Sequence, residues 1–148
     1  MDRRILMETV FHFVILAPGA LRIGSLQVTA ARMNHPVETY GLRLEHAGCV
    51  LAYSADTGPG AGLVTLAGGA DLLLCEATFL DVPGLPADLH LTARQAGEHA
   101  ALAGVRELML THIMLWNDQA RSLAEPATAF GGALSAAAAG QQLVVGAG

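Results

Sequence analysis

Hydrophobic and polar positions alternate in two stretches of the first third of the chain, and this alternation predicts two β-hairpins. The first hairpin, Leu21–Met33, is expected to turn at Gly24–Ser25. In the second, Tyr40–Tyr53, leucines alternate with charged residues before a turn at Ala47–Gly48. A period of two indicates strands that bury one face and expose the other.

Other stretches are apolar without alternation and predict buried strands, because strands covered on both faces show continuous apolar runs. These runs are Asp71–Glu76, Arg106–His112 and a last strand at Gln141–Val145. The small-residue tract GGALSAAAAG, residues 131–140, is expected to be loop or frayed helix.

Three segments predict helices. Gly60–Gly69 is a short one with leucines facing inward, and Thr92–Ala103 is the clearest, with a T-x-x-Q capping box at its start and Gly104 at its end. The segment Asn117–Phe130 is helical with a break near Pro126. Hairpins followed by alternating strands and helices predict an α/β fold in one unit.

Composition narrows the functional classes. The chain of 148 residues fits one domain, and its net charge of −5 without a Lys/Arg cluster argues against binding to a nucleic-acid duplex. Cys49 and Cys75 lie in apolar runs and are predicted to be buried thiols in a reducing compartment rather than a disulfide.

The N-terminus loosely imitates a signal peptide, with basic residues, an apolar run and small residues in that order. Glu8 and His12 interrupt the apolar run. The uninterrupted part, Phe13–Ala17, is too short for a signal peptide and far below the roughly 20 residues of a membrane span. A cytoplasmic location is therefore expected.

Four residues with nitrogen or oxygen ligand atoms lie where predicted strands end or connections begin. Asp56 and His112 each follow a buried strand. His90 precedes the clearest helix, and His35 follows the first hairpin. Each has an ordinary explanation, as a turn former, a loop residue or a core histidine. Together they favour a metal site, because α/β folds present their sites on such loops.

Four segments resemble, in the same order, the second half of the metallo-β-lactamase-fold hydrolases. They are NHPVETYGLRLE, LAYSADTGP, DLLLCEATF and HLTARQAGEHAALAGVRELMLTHI. They look most like the branch with the tRNA 3′-processing endonucleases and the actinobacterial cyclic-nucleotide phosphodiesterases. The resemblance implies half of an αββα sandwich, a mixed sheet with helices on one face. It assigns residues 21–148 to this domain and leaves residues 1–20 unassigned.

The resemblance also implies roles for individual residues. His35 and His112 match metal-binding histidines, and Asp56 matches an aspartate that bridges two metal ions, usually zinc. His90 matches a histidine that assists catalysis without binding metal, so that Asp56 and His90 are the expected catalytic residues. Glu76 ends a strand, where it either orients His90 through a hydrogen bond or is an ordinary strand-end charge.

By this resemblance the chain is a metal-dependent hydrolase of phosphodiester bonds. The family holds two zinc ions, and one or none is expected in this chain. The expected partner is a small-molecule phosphodiester, such as a cyclic nucleotide, or an RNA 3′ end, and the acidic balance favours the small ester. A homodimer is considered, and no membrane partner is expected.

The chain also departs from the family pattern. The signature H-x-H-x-D-H, which supplies most of the family's metal ligands, is absent, so the chain is expected to begin after it. The alternative function is therefore a truncated, non-catalytic half-domain with a weak or absent metal site. Ala55 stands where the family has a glycine before the aspartate.

A nucleotide-binding module is the remaining rival, because GPGAG, residues 58–62, could form a phosphate cradle. The spacing argues against it: a G-x-G-x-x-G pattern would require glycine at Leu63 or Thr65, and no P-loop lysine follows.

Overall fold

A computed structural model describes residues 7–146 and shows one seven-stranded mixed sheet whose strands lie side by side in chain order. The strands are β1 (Gly19–Ile23), β2 (Leu26–Arg32), β3 (Tyr40–His46), β4 (Cys49–Tyr53), β5 (Leu72–Glu76), β6 (Glu107–Thr111) and β7 (Ala133–Ala136). The helices are α1 (Ala61–Ala67), α2 (Ala93–Ala103) and α3 (Gln119–Ala124), with 3-10 turns at Met7–Thr9 and Pro126–Thr128.

The first four strands form an antiparallel meander that confirms both predicted hairpins. Each hairpin turns at the predicted pair of residues. At the second turn, Ala47 and Gly48 both have positive φ, 50° and 83°. Two successive residues with positive φ match the right-handed twist of the flanking strands.

The last four strands are parallel, and this arrangement positions the site. Parallel strands place their carboxyl ends at one edge of the sheet. Asp56 follows β4, Glu76 ends β5 and His112 follows β6, so these side chains are delivered to the same edge.

The helices pack on one face of the sheet, as predicted. The core between them contains Leu63 and Leu66 of α1, Ala96 and Ala100 of α2, and alternate residues of the central strands: Leu73, Cys75, Leu108 and Leu110. Helix α2 begins with the predicted capping box of Thr92 and Gln95 and ends at Gly104, whose φ is 65°. Local sequence signals therefore set both ends of the helix that follows His90.

The predicted last strand, Gln141–Val145, is wrong. Residues 141–144 pair with no strand, and Leu143 and Val145 instead line an apolar groove with Leu72 and Met109 on the sheet face opposite the helices. The apolar pattern of this segment thus reflects contact of Leu143 and Val145 with the face of the sheet and not membership of it, and Val144 stays exposed.

The seventh strand lies in the tract that was predicted to be loop or frayed helix. β7 pairs in parallel with β6, from Glu107 with Ala133 to Leu110 with Ala136. Its small residues have little intrinsic preference for strands, so the strand depends on the ladder that β6 offers. This prediction failed because a tertiary contact determined the structure.

Both cysteines lie in strands and neither forms a disulfide. Cys75 is fully buried, and burial raises the pKa of its thiol to about 12. Cys49 is half-buried, so its predicted burial is only partial.

The unassigned segment 1–20 is described from residue 7 onward, and its first six residues lie outside the described part, as do residues 147 and 148. Residues 11–17 form neither helix nor strand. Within residues 7–146, no helix has the length and hydrophobicity needed to cross a membrane.

Candidate metal centre

A buried carboxylate organises the edge of the sheet where β4, β5 and β6 end. Glu76 is about 1% exposed. Its Oε1 accepts hydrogen bonds from the Thr57 backbone N–H at 2.7 Å and from His90 Nδ1 at 2.8 Å. Its Oε2 accepts from the Thr78 hydroxyl at 2.8 Å and from the backbone N–H groups of Thr78 and Leu91 at 3.3 Å each. Both oxygens are therefore engaged, and Glu76 holds three segments together.

This network fixes the tautomers of two histidines. A carboxylate only accepts hydrogen bonds, so His90 Nδ1 carries the proton that it shares with Glu76. The Thr78 hydroxyl donates to Glu76, so it accepts from His112 Nδ1 at 3.0 Å. In their neutral forms, both rings then keep a free lone pair on Nε2.

His35 has the same arrangement on the loop between β2 and β3. The Thr39 hydroxyl donates to the Val37 carbonyl at 3.1 Å and lies 3.2 Å from His35 Nδ1, from which it accepts. The ring centroid of His90 is 5.5 Å from that of His35 and 5.2 Å from that of His112. The structure thus gathers three imidazoles at one place, each with Nε2 available.

Asp56 supplies a second carboxylate, which forms an ion pair with His112. One ligand atom from each of Asp56, Glu76, His90 and His112 lies within 4.8 Å of the other three, and Asp56 Oδ1 is 3.4 Å from His112 Nδ1. His35 is outside this group of four, although its ring contacts that of His90. Imidazole nitrogen with carboxylate oxygen is a donor set that zinc uses, so the residues present fit such an ion.

Two further histidines, His46 and His99, lie outside this cluster. His46 is on the β3–β4 hairpin, with Nδ1 3.3 Å from the Ser25 carbonyl. His99 is buried on α2, donates to the Gln95 carbonyl at 2.8 Å and accepts the Gly60 N–H at 3.1 Å. Its bond to Gly60 therefore holds the end of the Asp56 loop against α2.

Comparison with known proteins identifies the fold family. The family model of the Beta-lactamase superfamily domain matches residues 4–113. The crystal structure of the metallo-β-lactamase fold protein YhfI from Bacillus subtilis superposes with a TM-score of 0.80, at 29% identity, over 86% of this chain and 54% of that one. The chain belongs to the metallo-β-lactamase superfamily. The resemblance inferred from the four sequence segments is thereby confirmed.

Relatives within the superfamily are longer than this chain. An uncharacterized protein of Mycobacterium leprae (strain TN) is 42% identical over 133 residues, which are 89% of this chain and 46% of that protein. A ribonuclease Z of Thermobifida fusca (strain YX) is 40% identical over 121 residues, 78% of this chain and 37% of the enzyme. The chain therefore spans less than half the length of these two relatives.

Two residues that connect distant segments of the site were not predicted from the superfamily pattern. Thr78, which links His112 to Glu76, carried no recognisable role in the sequence, although it lies in the segment DLLLCEATF. Asn34 carried none either, because its partners are 25 and 54 residues away in the chain. Only the residue next to it, His35, carried a recognisable signal.

The departure at Ala55 leads to a prediction. Ala55 has φ of 51°, the left-handed region, where a side chain costs about 1 kcal/mol or more. We expect Ala55→Gly to raise the free energy of unfolding by about 0.5–1 kcal/mol, since glycine removes this strain but loses more entropy on folding. Chemical denaturation would measure the change.

Ala47→Gly is the matched control, because Ala47 has nearly the same φ, 50°, on a hairpin away from the metal centre. It should give a similar gain in stability. Destabilisation by Ala55→Gly alone would mean that the alanine makes contacts worth more than the strain.

Proposed function

We propose that this chain carries part of the metal centre of a phosphodiester hydrolase. The observation that carries the proposal is that three histidine rings, His35, His90 and His112, lie together with Nδ1 engaged in each, and that His90 and His112 each have a ligand atom within 4.8 Å of one from Asp56. A purely structural cluster would have no need to gather three imidazoles whose second nitrogens the hydrogen-bond network leaves unused.

His35, Asp56 and His112 would hold the metal, and Asp56, which has two oxygens, would bridge a second ion where one is bound. Glu76 is a poor ligand because both of its oxygens already accept hydrogen bonds. A bound zinc ion would supply a nucleophile near neutral pH and stabilise the charge that develops at phosphorus.

His90 would transfer a proton to the leaving oxygen. Its Nδ1 donates to Glu76 Oε1 at 2.8 Å, an orientation that leaves Nε2 to carry and release the proton. Histidine suits this task because its ordinary pKa is near neutrality. Glu76 would position the ring.

The ribonuclease Z relative supports a phosphodiester substrate. YhfI, described as a probable metallo-hydrolase, supports metal-dependent hydrolysis. The chain has 13 acidic and 8 basic residues, which favours a small phosphodiester such as a cyclic nucleotide over a long polyanion.

Zinc titration of the purified chain tests the metal centre. We expect about one equivalent to bind, and His112→Ala and Asp56→Ala to weaken binding at least tenfold, since each removes one of about three ligands. His46→Ala, which removes a histidine from the distant hairpin, should bind like the wild type. Equal affinity in all four proteins would overturn the proposal.

The number of metal ligands also predicts how active the isolated chain is. Two metal ions that share an aspartate need about five or more ligands, and this chain offers three. Hydrolysis of bis(p-nitrophenyl) phosphate with zinc or manganese should therefore be no faster than in Asp56→Ala. Turnover that a chelator removes and that Asp56→Ala lacks would show instead that the centre is complete in this chain.

A further inference from the structure

One exposed asparagine joins the loops that carry three of the proposed site residues. Asn34 directly precedes His35. Its side-chain Nδ2 donates to the Pro59 carbonyl at 2.8 Å, on the Asp56 loop, and to Asp88 Oδ1 at 2.9 Å, on the His90 loop. Its backbone carbonyl accepts the Gly58 N–H at 2.7 Å. Because both side-chain partners are acceptors, the amide orientation is unambiguous.

A second observation shows that the loops meet here in close contact. A Cβ at Gly58 would lie 2.6 Å from Asp88 Cα and 2.7 Å from its carbonyl carbon, so the Asp56 loop and the His90 loop touch backbone to backbone. Asp88 itself has φ of 56°. We call Asn34, Gly58 and Asp88 the loop junction.

We propose that Asn34 is a positioning residue for the metal centre: through the loop junction it fixes the spacing of His35, Asp56 and His90. Its relevance to metal binding rests on the proposed function. Asn34 is exposed and outside the hydrophobic core, so its loss removes few packing contacts. Its hydrogen bonds instead tie the His35 loop to the Asp56 and His90 loops, which Glu76 joins to each other from the sheet.

Hydrogen exchange in the metal-free protein tests the junction directly. The amides of Gly58, Gly60 and Leu91 donate to the Asn34 backbone carbonyl, His99 Nε2 and Glu76 Oε2 respectively, and these bonds slow their exchange. Asn34→Ala should raise their exchange rates about tenfold, because two side-chain hydrogen bonds are lost and the loops open locally. The Ala77 amide, bonded to Thr111 in the sheet, should exchange as in the wild type.

Two further variants separate the bond from the side-chain volume. Asn34→Asp keeps the shape but turns a carboxylate toward Asp88, so exchange should rise more than in Asn34→Ala. In Asn34→Asp/Asp88→Asn the carboxylate and the amide change places, and the bond between positions 34 and 88 can reform. Exchange should then fall at least threefold from the Asn34→Asp rate, while the bond to Pro59 stays lost.

Zinc affinity gives the second measurement. Asn34→Ala should weaken zinc binding about tenfold, as for other residues that orient ligands. Gln141→Ala, which removes a hydrogen bond to the Ala138 amide in the C-terminal segment, should leave it unchanged. If the wild type binds no zinc, the proposed function fails, and the exchange measurement still decides whether the junction exists. Exchange within twofold of the wild type in Asn34→Ala, or no recovery in the double variant, would overturn the proposal.

Discussion

Replacing Glu76 by glutamine is expected to lower the free energy of unfolding by about 3 kcal/mol, although the side chain keeps its size. Glu76 accepts five hydrogen bonds in a buried place, from Thr57, Thr78, His90 and Leu91. A glutamine NH₂ group in place of either oxygen would face at least two donors. Each bond to a charged acceptor contributes about 1.5–3 kcal/mol, and a buried donor without an acceptor costs a similar amount.

The same substitution should reduce zinc affinity about 10- to 100-fold, the usual effect of losing a group that orients metal ligands. His90 would lose its fixed tautomer, and the Thr78 hydroxyl would no longer be held to accept from His112.

Glu98→Gln is the matched control. Glu98 lies on α2, half-exposed, with an ion pair to Arg94 at 3.1 Å, and such pairs contribute about 0.5 kcal/mol or less. The two variants should therefore differ strongly in their free energy of unfolding, measured by denaturation, and in their zinc affinity, measured by titration. Similar results for Glu76→Gln and Glu98→Gln would mean that the buried network does not hold the site together.

Features that depend on a few neighbouring residues were predictable from the sequence. The two hairpin turns and the capping box of α2 each involve residues at most three apart, so the sequence shows both partners at once. The break at Pro126 belongs to the same class, because proline lacks the N–H that a helix needs.

Features that depend on contacts between distant segments were not predictable. β7 is a strand because its backbone pairs in parallel with that of β6, although its alanines have no preference for strands. Gln141–Val145 has the composition of a strand, but Leu143 and Val145 lie against the face of the sheet.

The residues of the metal centre also fall into a group that the sequence predicted and a group that it did not. The rule that α/β folds present their sites on the loops after strands, together with the family resemblance, led to Asp56 and His112 from the sequence. The contact from Thr78 to His112 spans 34 residues, and that from Asn34 to Asp88 spans 54. Such pairs leave no periodic trace in a single sequence, so the residues that hold the ligands in place appeared only in the structure.

A methyl group at Gly58 should be the most disruptive small change at the loop junction. Gly58→Ala would place a Cβ 2.6 Å from Asp88 Cα, which real Cβ atoms do not approach, so the two loops must separate. Forcing extra volume into packed structure costs about 1–3 kcal/mol, and alanine recovers about 0.4–1 kcal/mol by restricting the unfolded chain. We expect a net loss of stability of about 1–2 kcal/mol and faster amide exchange at Gly60 and Leu91.

Gly131→Ala is the control for the entropy term, because a Cβ at Gly131 meets nothing within 4 Å. It should leave stability unchanged or raise it by up to about 1 kcal/mol and leave exchange around the metal centre as it is. The difference between the two variants isolates the steric contact, since both exchange a glycine for an alanine. If Gly58→Ala were as stable as Gly131→Ala, the Asp56 and His90 loops would have room between them, and the close contact could not be what fixes their spacing.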